Sequence, residues 1–213
     1  IWRHQHVDNH QTLGVTMYQF ILGKISTLSA DPLASTLAHM APAGARNASW
    51  LAGRTLLAKT LSPSPLPEIV YGEQGKPAFV DAQPFWFNLS HSGDNIALLL
   101  SDEGEVGCDI EVIRPRENWQ ALANAVFSVA EHAELEREDP ETKLSAFWGI
   151  WTRKEAIVKQ RGGSAWQIVS IDSTSQTHSV SQLQFGSLSL AVCTSTPYTL
   201  TAGTIAHHGM SVA

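Results

Sequence analysis

Two acidic residues two positions apart are the first feature of the sequence that could do chemistry. Asp109 and Glu111 lie in the segment Gly107-Cys-Asp-Ile-Glu111. If this segment is a strand, its side chains alternate between faces, so both carboxylates point the same way, about 7 Å apart. Like charges on one face repel each other unless water solvates them or a divalent cation, which prefers hard oxygen ligands, lies between them. The pair alone leaves both possibilities open.

A third carboxylate is predicted on the inward face of a helix. Apolar residues recur there at steps of three and four, and Glu155 falls on the same stripe. The stripe consists of Leu144, Trp148, Trp151, Glu155 and Val158. Because a buried unpaired carboxylate is costly, Glu155 needs a partner. That partner is either Lys159, one turn later in an ordinary helix ion pair, or a cation shared with Asp109 and Glu111, and periodicity does not distinguish the two.

Basic and polar residues in predicted turns form a second group of candidates. Lys76 follows Gly75 and precedes Pro77, Ser90 and His91 lie between two predicted strands, and Arg54 lies on the first long helix. Each is a weak signal alone, since a lysine in a turn is usually solvated and adjacent Ser and His do not make a catalytic triad. The sequence contains no nucleophile elbow, P-loop or dinucleotide-binding glycine run, which argues against those enzyme classes.

The elements that position these residues are predicted from hydrophobic periodicity. Strands are expected at Tyr18–Ile25 and Val106–Ile113, and long helices at Ala48–Leu61 and Leu144–Arg161. Shorter strands are expected at Phe85–Leu89, Asn95–Ser101, Trp166–Asp172, Leu188–Cys193 and Tyr198–Thr204. Helices mixed with antiparallel-looking strands, rather than alternating with them regularly, predict the α+β class.

Composition divides the chain into three segments. Residues 1–16 are rich in histidine and polar residues, and we interpret them as a mobile upstream leader. Residues 17–104 and 105–213 each offer strands, a helix and more strands, so we predict an N-terminal half and a C-terminal half. The C-terminal half carries most of the candidate metal ligands.

Length and charge exclude several classes of protein. A chain of 213 residues with 43% hydrophobic residues can fold without disulfides, and Cys108 and Cys193 are expected to be buried thiols. No apolar run approaches the roughly 20 residues of a membrane-spanning helix, and no signal peptide is evident, so a cytoplasmic protein is expected. The net charge of −6 argues against nucleic acid as the main ligand, and an anionic substrate would need a locally basic cleft.

Five short motifs in a fixed order resemble the 4'-phosphopantetheinyl transferase superfamily. The resemblance spans about Met17 to Thr204. It is to the longer, monomeric type with two similar halves in one chain, as in enterobacterial holo-[acyl carrier protein] synthases. The motifs are Gly75-Lys-Pro77, Phe87-Asn-Leu-Ser-His-Ser92, Gly107-Cys-Asp-Ile-Glu111, Phe127-Ser-x-x-Glu131 and Trp151-Thr-Arg-Lys-Glu-Ala-x-x-Lys159. The resemblance implies two pseudo-twofold-related halves, each with a small antiparallel sheet packed on a long helix.

The resemblance also implies an activity and a metal. The family transfers the phosphopantetheine arm of coenzyme A to a serine of an apo acyl carrier protein and releases adenosine 3',5'-bisphosphate. Asp109, Glu111 and Glu155 would hold Mg2+, for which Mn2+ could substitute, and Lys159 would contact the coenzyme A phosphates. Glu155 is expected to accept the serine proton, either directly or through a metal-bound water, with Glu131 as a nearby supporting carboxylate.

Further positions match the family's nucleotide site. By resemblance, Lys76, Ser90 and His91 grip the nucleotide and its 3'-phosphate through charge-assisted hydrogen bonds. Arg54 and Arg46 would complete this site. The sequence departs from the family pattern here, because basic residues before the first helix are sparse and Arg46 is displaced from the usual spacing.

The expected macromolecular partner is an acidic carrier protein. Arg114, Arg116 and Arg153 are available to dock it, and the doubled length favours a monomer. Two other functions stay open from the sequence: a metal-dependent pyrophosphatase that cleaves coenzyme A with water, and a binding module without turnover.

Overall fold

The structure, a computed structural model, describes residues 18–81 and 83–208, so the predicted leader lies outside the described residues. The strands are β1 (Tyr18–Lys24), β2 (Ile69–Tyr71), β3 (Pro77–Phe79), β4 (Trp86–Ser92), β5 (Asn95–Ser101), β6 (Gly107–Val112), β7 (Ser179–Phe185), β8 (Leu188–Thr194) and β9 (Ile205–His207). The helices are α1 (Ile25–Ser29), α2 (Pro32–Leu37), α3 (Asn47–Leu61), α4 (Trp119–Val126), α5 (Val129–Glu136) and α6 (Lys143–Arg161). None of these described helices is long and apolar enough to cross a membrane.

The same strand order occurs in two sheets. One sheet runs β4-β5-β1-β9 and another runs β7-β8-β6, while β2 and β3 form a separate hairpin. In each case a strand is followed by a long helix and then by an antiparallel hairpin whose second strand pairs with the first strand. The α+β fold with two similar halves is therefore confirmed, each half being a small sheet with one long helix.

β5 lies at the centre of the core and is buried along almost its whole length. Its even-numbered residues, Ile96, Leu98 and Leu100, pack against α3. The residues between them, Ala97 and Leu99, pack against the second sheet. Because both faces of β5 are covered, its sequence is a continuous apolar run rather than an alternating one.

The second sheet repeats this arrangement through β8. Leu190 and Val192 face the first sheet. Ala191 and Cys193 face α6 and contact a cluster that includes Ile157. The order of layers is thus α3, first sheet, second sheet, α6, and the two sheets meet through a shared apolar core.

Several segments differ from the sequence-based prediction, and the strand β7 was not predicted at all. Ser90, His91 and Ser92 belong to β4, because a two-residue turn at Gly93-Asp94 closes the hairpin, with Gly93 at a φ of +57°. The predicted strand at 166–172 is wrong, since a 3-10 helix occupies Ala165–Ser170. The predicted strand at 198–204 is also wrong, and β9 begins only at Ile205.

A fully buried ion pair joins α5 to α6. The Glu131 and Lys154 side chains are both 0% exposed, and Lys154 Nζ lies 2.8 Å from Glu131 Oε1. Glu131 also forms a capping box with Ser128 at the start of α5. Its Oε2 accepts hydrogen bonds from the backbone N–H (2.8 Å) and the hydroxyl (2.6 Å) of Ser173. Lys154 donates in addition to the Ile171 carbonyl, so the pair ties α5, α6 and the segment after α6 together.

These contacts bear on the expectation that Glu131 is a supporting carboxylate beside Glu155. Both Glu131 oxygens are occupied by donors from Ser128, Lys154 and Ser173. Burial raises the pKa of Glu131, but the hydrogen bonds from Lys154 and Ser173 outweigh it, and the net pKa lies below its usual value. Lys154 and Glu155 are consecutive on a helix and therefore point about 100° apart. Glu131 is thus a structural residue with no free lone pair for a proton.

Replacing Glu131 is expected to be strongly destabilising. In Glu131→Gln the Lys154 ammonium stays buried without a counter-ion, which costs about 3–5 kcal/mol. Glu134→Gln is the matched control, because Glu134 pairs with Arg153 nearer the surface and such pairs contribute about 0–1 kcal/mol. Urea unfolding curves measure both variants, and an equal effect in the two would contradict the structural role of Glu131.

Candidate active site

Side chains of β4 serve as hydrogen-bond acceptors for the free edge of β6. The two strands belong to different sheets, yet every second backbone N–H of β6 donates to a side chain of β4. The bonds are Cys108 N to Asn88 Oδ1 (2.9 Å), Ile110 N to Ser90 Oγ (3.1 Å) and Val112 N to Ser92 Oγ (3.0 Å). This side-chain ladder satisfies buried donors and fixes the register between the two halves.

The ladder places two hydroxyls beside the two acidic residues of β6. Ser90 Oγ lies 3.2 Å from Asp109 Oδ1, and Ser92 Oγ lies 3.4 Å from Glu111 Oε2. Because these serines also accept from β6, their own protons point towards the carboxylates. Ser90, predicted as a nucleotide contact, therefore also holds an acidic side chain in place.

Asp109 is buried and only half satisfied. Its residue is 5% exposed, and Oδ1 accepts from Lys159 Nζ at 3.0 Å as well as from Ser90. Its other oxygen, Oδ2, is buried without a hydrogen-bond partner. Burial, and to a smaller extent the charge of Glu111, raises the pKa of Asp109 to about 7, although Lys159 opposes the rise. The carboxylate lacks one positive or hydrogen-bonding neighbour at Oδ2.

Glu111 and Glu155 complete the acidic group. Glu111 Oε2 has two long contacts, to Ser92 and, at 3.5 Å, to Arg114 Nη1. Burial raises the pKa of the half-buried Glu155, and the charge of Glu111 adds to the rise. Glu155 thus lies within electrostatic range of the β6 carboxylates, as the helical stripe predicted.

Lys159 is the cation at the centre of this group. It donates to Asp109 and, at 3.1 Å, to Ser90, so its hydrogen-bond partners lie across the site. Burial lowers the pKa of Lys159, but Asp109 and Glu155 raise it, and the net pKa lies above its usual value. Lys159 is therefore a permanent positive charge, and its principal partner is Asp109 rather than Glu155.

A glycine allows α6 to approach β6 closely enough for these contacts. A Cβ at Gly107 would lie 2.2 Å from the Ala156 carbonyl oxygen and 2.3 Å from the Gln160 nitrogen. Any larger residue at position 107 would push away the turn of α6 that carries Glu155 and Lys159. The glycine of the β6 motif therefore has a packing reason.

The donor set fits a hard divalent cation, although it is not a closed metal site. The charges of Glu111 and Glu155 both act on Asp109, and Asp109 Oδ2 is a buried oxygen without a partner, which a cation would satisfy. Among the described residues, however, no three acidic, histidine or cysteine side chains are close enough to hold a metal as they stand. The carboxylates would have to approach one another to bind one ion.

A cleft of about 210 Å³ opens beside Lys159. Lys76 and Lys159 both line it, and glycines form much of the remaining wall. The lining residues are Gln74, Gly75, Lys76, Pro77, Asn88, Leu89, Lys159, Gly162 and Gly163. Two lysines and a glycine-rich wall make this cleft suited to phosphate groups.

His91 and the two predicted arginines occupy different surroundings. His91 is largely exposed, but part of its imidazole is shielded from water. This partial burial, together with the nearby Lys159 charge, lowers the pKa of the imidazole. Arg54 is buried and lines a separate apolar groove of about 520 Å³, where it donates to the Tyr71 hydroxyl at 2.6 Å and stacks over Trp50. Arg46 is exposed at the start of α3. Neither arginine lines the two-lysine cleft.

The predicted docking arginines are not equally available. Arg153 is half of a bidentate pair with Glu134, at 2.8 and 3.0 Å, and also contacts Ser173. Arg114 and Arg116 instead lie over the ring of Trp148, with guanidinium carbons 4.6 and 5.9 Å from its centroid. Arg114 also lies 3.5 Å from Glu111, and the two stacked arginines together form a basic edge.

Sequence reasoning missed several residues of this site. The sequence motif contains Asn88 and Ser92 but does not reveal their role as acceptors of the ladder. Trp148 anchors Arg114 through the ring and through a hydrogen bond from its Nε1 to the Arg114 carbonyl at 3.0 Å. Glu105 contacts Lys76. The regular spacing of Asn88, Ser90 and Ser92 at every second position was the one signal that could have revealed the ladder.

Comparison with known proteins identifies the family. Residues 105–201 match the family described as the 4'-phosphopantetheinyl transferase superfamily. The chain is 72% identical over 190 residues to the 4'-phosphopantetheinyl transferase AcpT of Salmonella typhi, a match that covers 89% of this chain and 98% of that protein. It is 68% identical over 190 residues to AcpT of Escherichia coli, with 89% and 96% covered. The transferase Sfp of Bacillus subtilis is 33% identical over 90 residues, 42% of this chain and 39% of that protein.

The chain belongs to the 4'-phosphopantetheinyl transferase superfamily. The resemblance based on the five motifs is therefore confirmed. Within the superfamily, the relatives that it matches over almost their whole length include the AcpT transferases of Salmonella typhi and Escherichia coli.

Removing one rung of the ladder is expected to release one β6 amide. In Asn88→Ala the Cys108 N–H loses its acceptor in a buried position, which costs about 1–3 kcal/mol. Hydrogen exchange followed by NMR should show at least about tenfold faster exchange at Cys108 and a smaller change at Val112. The matched control is Ser92→Ala at the less buried end of β4, where the order of the two effects should reverse. Unchanged exchange at Cys108 would contradict the ladder.

Proposed function

We propose that this protein transfers the 4'-phosphopantetheine arm of coenzyme A to a serine hydroxyl of an apo acyl carrier protein. The products are the holo carrier protein and adenosine 3',5'-bisphosphate. The observation that carries the proposal is the buried, half-satisfied Asp109 beside a cleft with two lysines. The near full-length similarity to AcpT transferases supports the same activity.

The two lysines are proposed to bind the coenzyme A phosphates. Lys159 stays protonated because Asp109 and Glu155 stabilise its charge, so it can neutralise charge that accumulates on the departing adenosine bisphosphate. Lys76 lines the same cleft. Ser90 is bound within the ladder, and His91 beside it is proposed to contact the nucleotide as a neutral imidazole.

Arg54 and Arg46 are proposed to act at a greater distance from the reacting phosphate. Arg54 has a neutral hydroxyl partner and a ring neighbour, so its guanidinium retains donors for an anionic group. The exposed Arg46 is free to turn towards the nucleotide. Both would contribute to affinity for coenzyme A rather than to the rate of transfer.

Asp109, Glu111 and Glu155 are proposed to hold Mg2+, with Mn2+ as a substitute. When bound, such an ion supplies positive charge that polarises the phosphate oxygens. For this chain, the consequence is a partner for Asp109 Oδ2 and relief of the repulsion among three carboxylates. Because the pKa of Asp109 lies at about 7 before binding, its carboxyl must lose a proton, and affinity for the ion should fall below that pH.

Glu155 is proposed to accept the serine proton. Burial raises its pKa, and a carboxylate of raised pKa is a better base near neutral pH. In the step that this residue serves, the serine oxygen forms a bond to the phosphorus that carries the pantetheine arm. The bond from that phosphorus to adenosine bisphosphate breaks, and the proton passes to the carboxylate.

The proposed partner is an acidic carrier protein, and the proposed docking surface is the basic edge of Arg114 and Arg116. Stacking on Trp148 restricts both side chains before binding, so less side-chain entropy is lost on binding. Fatty-acid or polyketide carrier proteins are the expected class. Because two halves share one chain, we expect the protein to act as a monomer. We also expect it to act in the cytoplasm.

Incubation of an apo acyl carrier protein with coenzyme A and Mg2+ tests the activity. Mass spectrometry should show a gain of one phosphopantetheine group, and Glu155→Gln should lower the rate by at least about a hundredfold, the usual range for a lost general base. Glu136→Gln, an exposed glutamate on α5, is the matched control and should react like the wild-type protein.

Two results would contradict this function. An unchanged rate in Glu155→Gln would exclude the assigned role of that carboxylate. Release of adenosine bisphosphate without a carrier protein, and with no gain of mass when one is present, would identify a pyrophosphatase instead.

A further inference from the structure

The Lys76 ammonium is a saturated donor. A lysine has three N–H groups, and Lys76 Nζ contacts the Val106 carbonyl at 2.8 Å, the Gln160 carbonyl at 3.2 Å and Glu105 Oε1 at 3.2 Å. The side chain is only 12% exposed, so water does not compete freely for these positions. A phosphate that enters the cleft therefore meets a lysine with no vacant donor.

Two of the three acceptors are fixed parts of the backbone. The Gln160 carbonyl belongs to the last turn of α6, where carbonyls lack partners within the helix and carry the negative end of its dipole. The Val106 carbonyl immediately precedes β6. Lys76 thus ties the β2–β3 turn to the end of α6, and breaking either bond would leave a carbonyl unsatisfied.

The third acceptor is different, because it can leave without disturbing the fold. The Glu105 side chain is 51% exposed and would be solvated on leaving. Its backbone is held separately, since the Glu105 carbonyl accepts from Gln160 Nε2 at 3.3 Å and from Ser195 Oγ at 2.8 Å. Rotation of the side chain would free one donor of Lys76 while the loop stays in place.

We propose that Glu105 is an internal competitor for Lys76, which a substrate phosphate displaces. This inference rests on the proposed function, in which that phosphate belongs to coenzyme A. A multiply charged phosphate can replace a single exposed carboxylate at Lys76, whereas a weakly charged anion gains little by doing so. Glu105 therefore lowers the affinity for anions in general and makes the cleft selective for ligands with several phosphate charges.

Calorimetric titration of coenzyme A into metal-free protein tests the proposal without turnover. Glu105→Gln should bind coenzyme A about two- to tenfold more tightly than the wild-type protein, because the competitor is removed and an exposed ion pair is worth a factor of this order. Glu103→Gln is the matched control, since it makes the same charge change two residues away and Glu103 does not contact Lys76. It should bind coenzyme A like the wild-type protein.

A double-variant cycle separates competition from the general effect of charge. In the Lys76→Met background, adding Glu105→Gln should change the affinity no more than adding Glu103→Gln does. Equal or weaker binding by Glu105→Gln, or an undiminished gain in the Lys76→Met background, would overturn the proposal. Circular dichroism melting of each variant would reveal a purely structural role for Glu105 as a lowered melting temperature together with weaker binding.

Failure of the proposed function would look different. A wild-type protein without measurable affinity for coenzyme A would overturn both proposals together. Wild-type affinity for coenzyme A with no difference between the Glu105 and Glu103 variants would overturn this inference alone.

Discussion

Every feature of the site depends on the ladder between β4 and β6. Two sheets that each bury a helix on one face and meet through an apolar core have no intrinsic register, because apolar contacts are non-directional. Three side chains of β4 that bind alternate N–H groups of β6 supply that register. As a result, the carboxylates of β6 lie at the junction of the two halves, where Lys159 of α6 reaches Asp109.

Two lysine–carboxylate pairs determine how a chain of net charge −6 maintains a cleft with two lysines. Each lysine of the cleft has its own carboxylate, Asp109 for Lys159 and Glu105 for Lys76. The two pairs differ in burial: Asp109 is enclosed and has an oxygen without a partner, whereas Glu105 is half exposed and replaceable. We infer that the first pair retains its carboxylate for a cation and that the second gives up its carboxylate to a phosphate.

Only one such site is present in the described part of the chain, although the sheet topology is repeated. Aligning the hairpins places the β1 residues Ile21 and Gly23 where β6 has Asp109 and Glu111. Ile21 and Gly23 have no carboxylate, so they can neither bind a cation nor neutralise the charge of a lysine. The N-terminal half thus supplies the side chains of the ladder and part of the cleft wall, and the C-terminal half supplies the carboxylates.

The sequence predicted those features that depend on local periodicity. Alternation along β6 predicts that Asp109 and Glu111 share a face, the helical stripe predicts that Glu155 faces inward, and the apolar run of β5 predicts a buried strand. It failed where tertiary contacts decide the outcome. Ser90 to Ser92 have the composition of a turn, yet their hydroxyls are needed at β6, and the turn begins only at Gly93.

Glu131 and Lys76 show the same limit. The capping box around Glu131 is local, but Lys154, which occupies its carboxylate, lies 23 positions further along the chain. The acceptors of Lys76 lie 29, 30 and 84 positions away. No periodicity in a single sequence encodes such pairings, so the intramolecular contacts of Glu131 and Lys76 could not be predicted from the sequence.

Anomalous scattering from crystals grown with Mn2+ and coenzyme A tests the central claim most directly. The account predicts one strong peak at the junction of the two halves, in contact with the Asp109 oxygen that has no partner in the protein. A peak elsewhere, or Asp109 bound only to Lys159 in crystals that hold coenzyme A in the cleft, would contradict it.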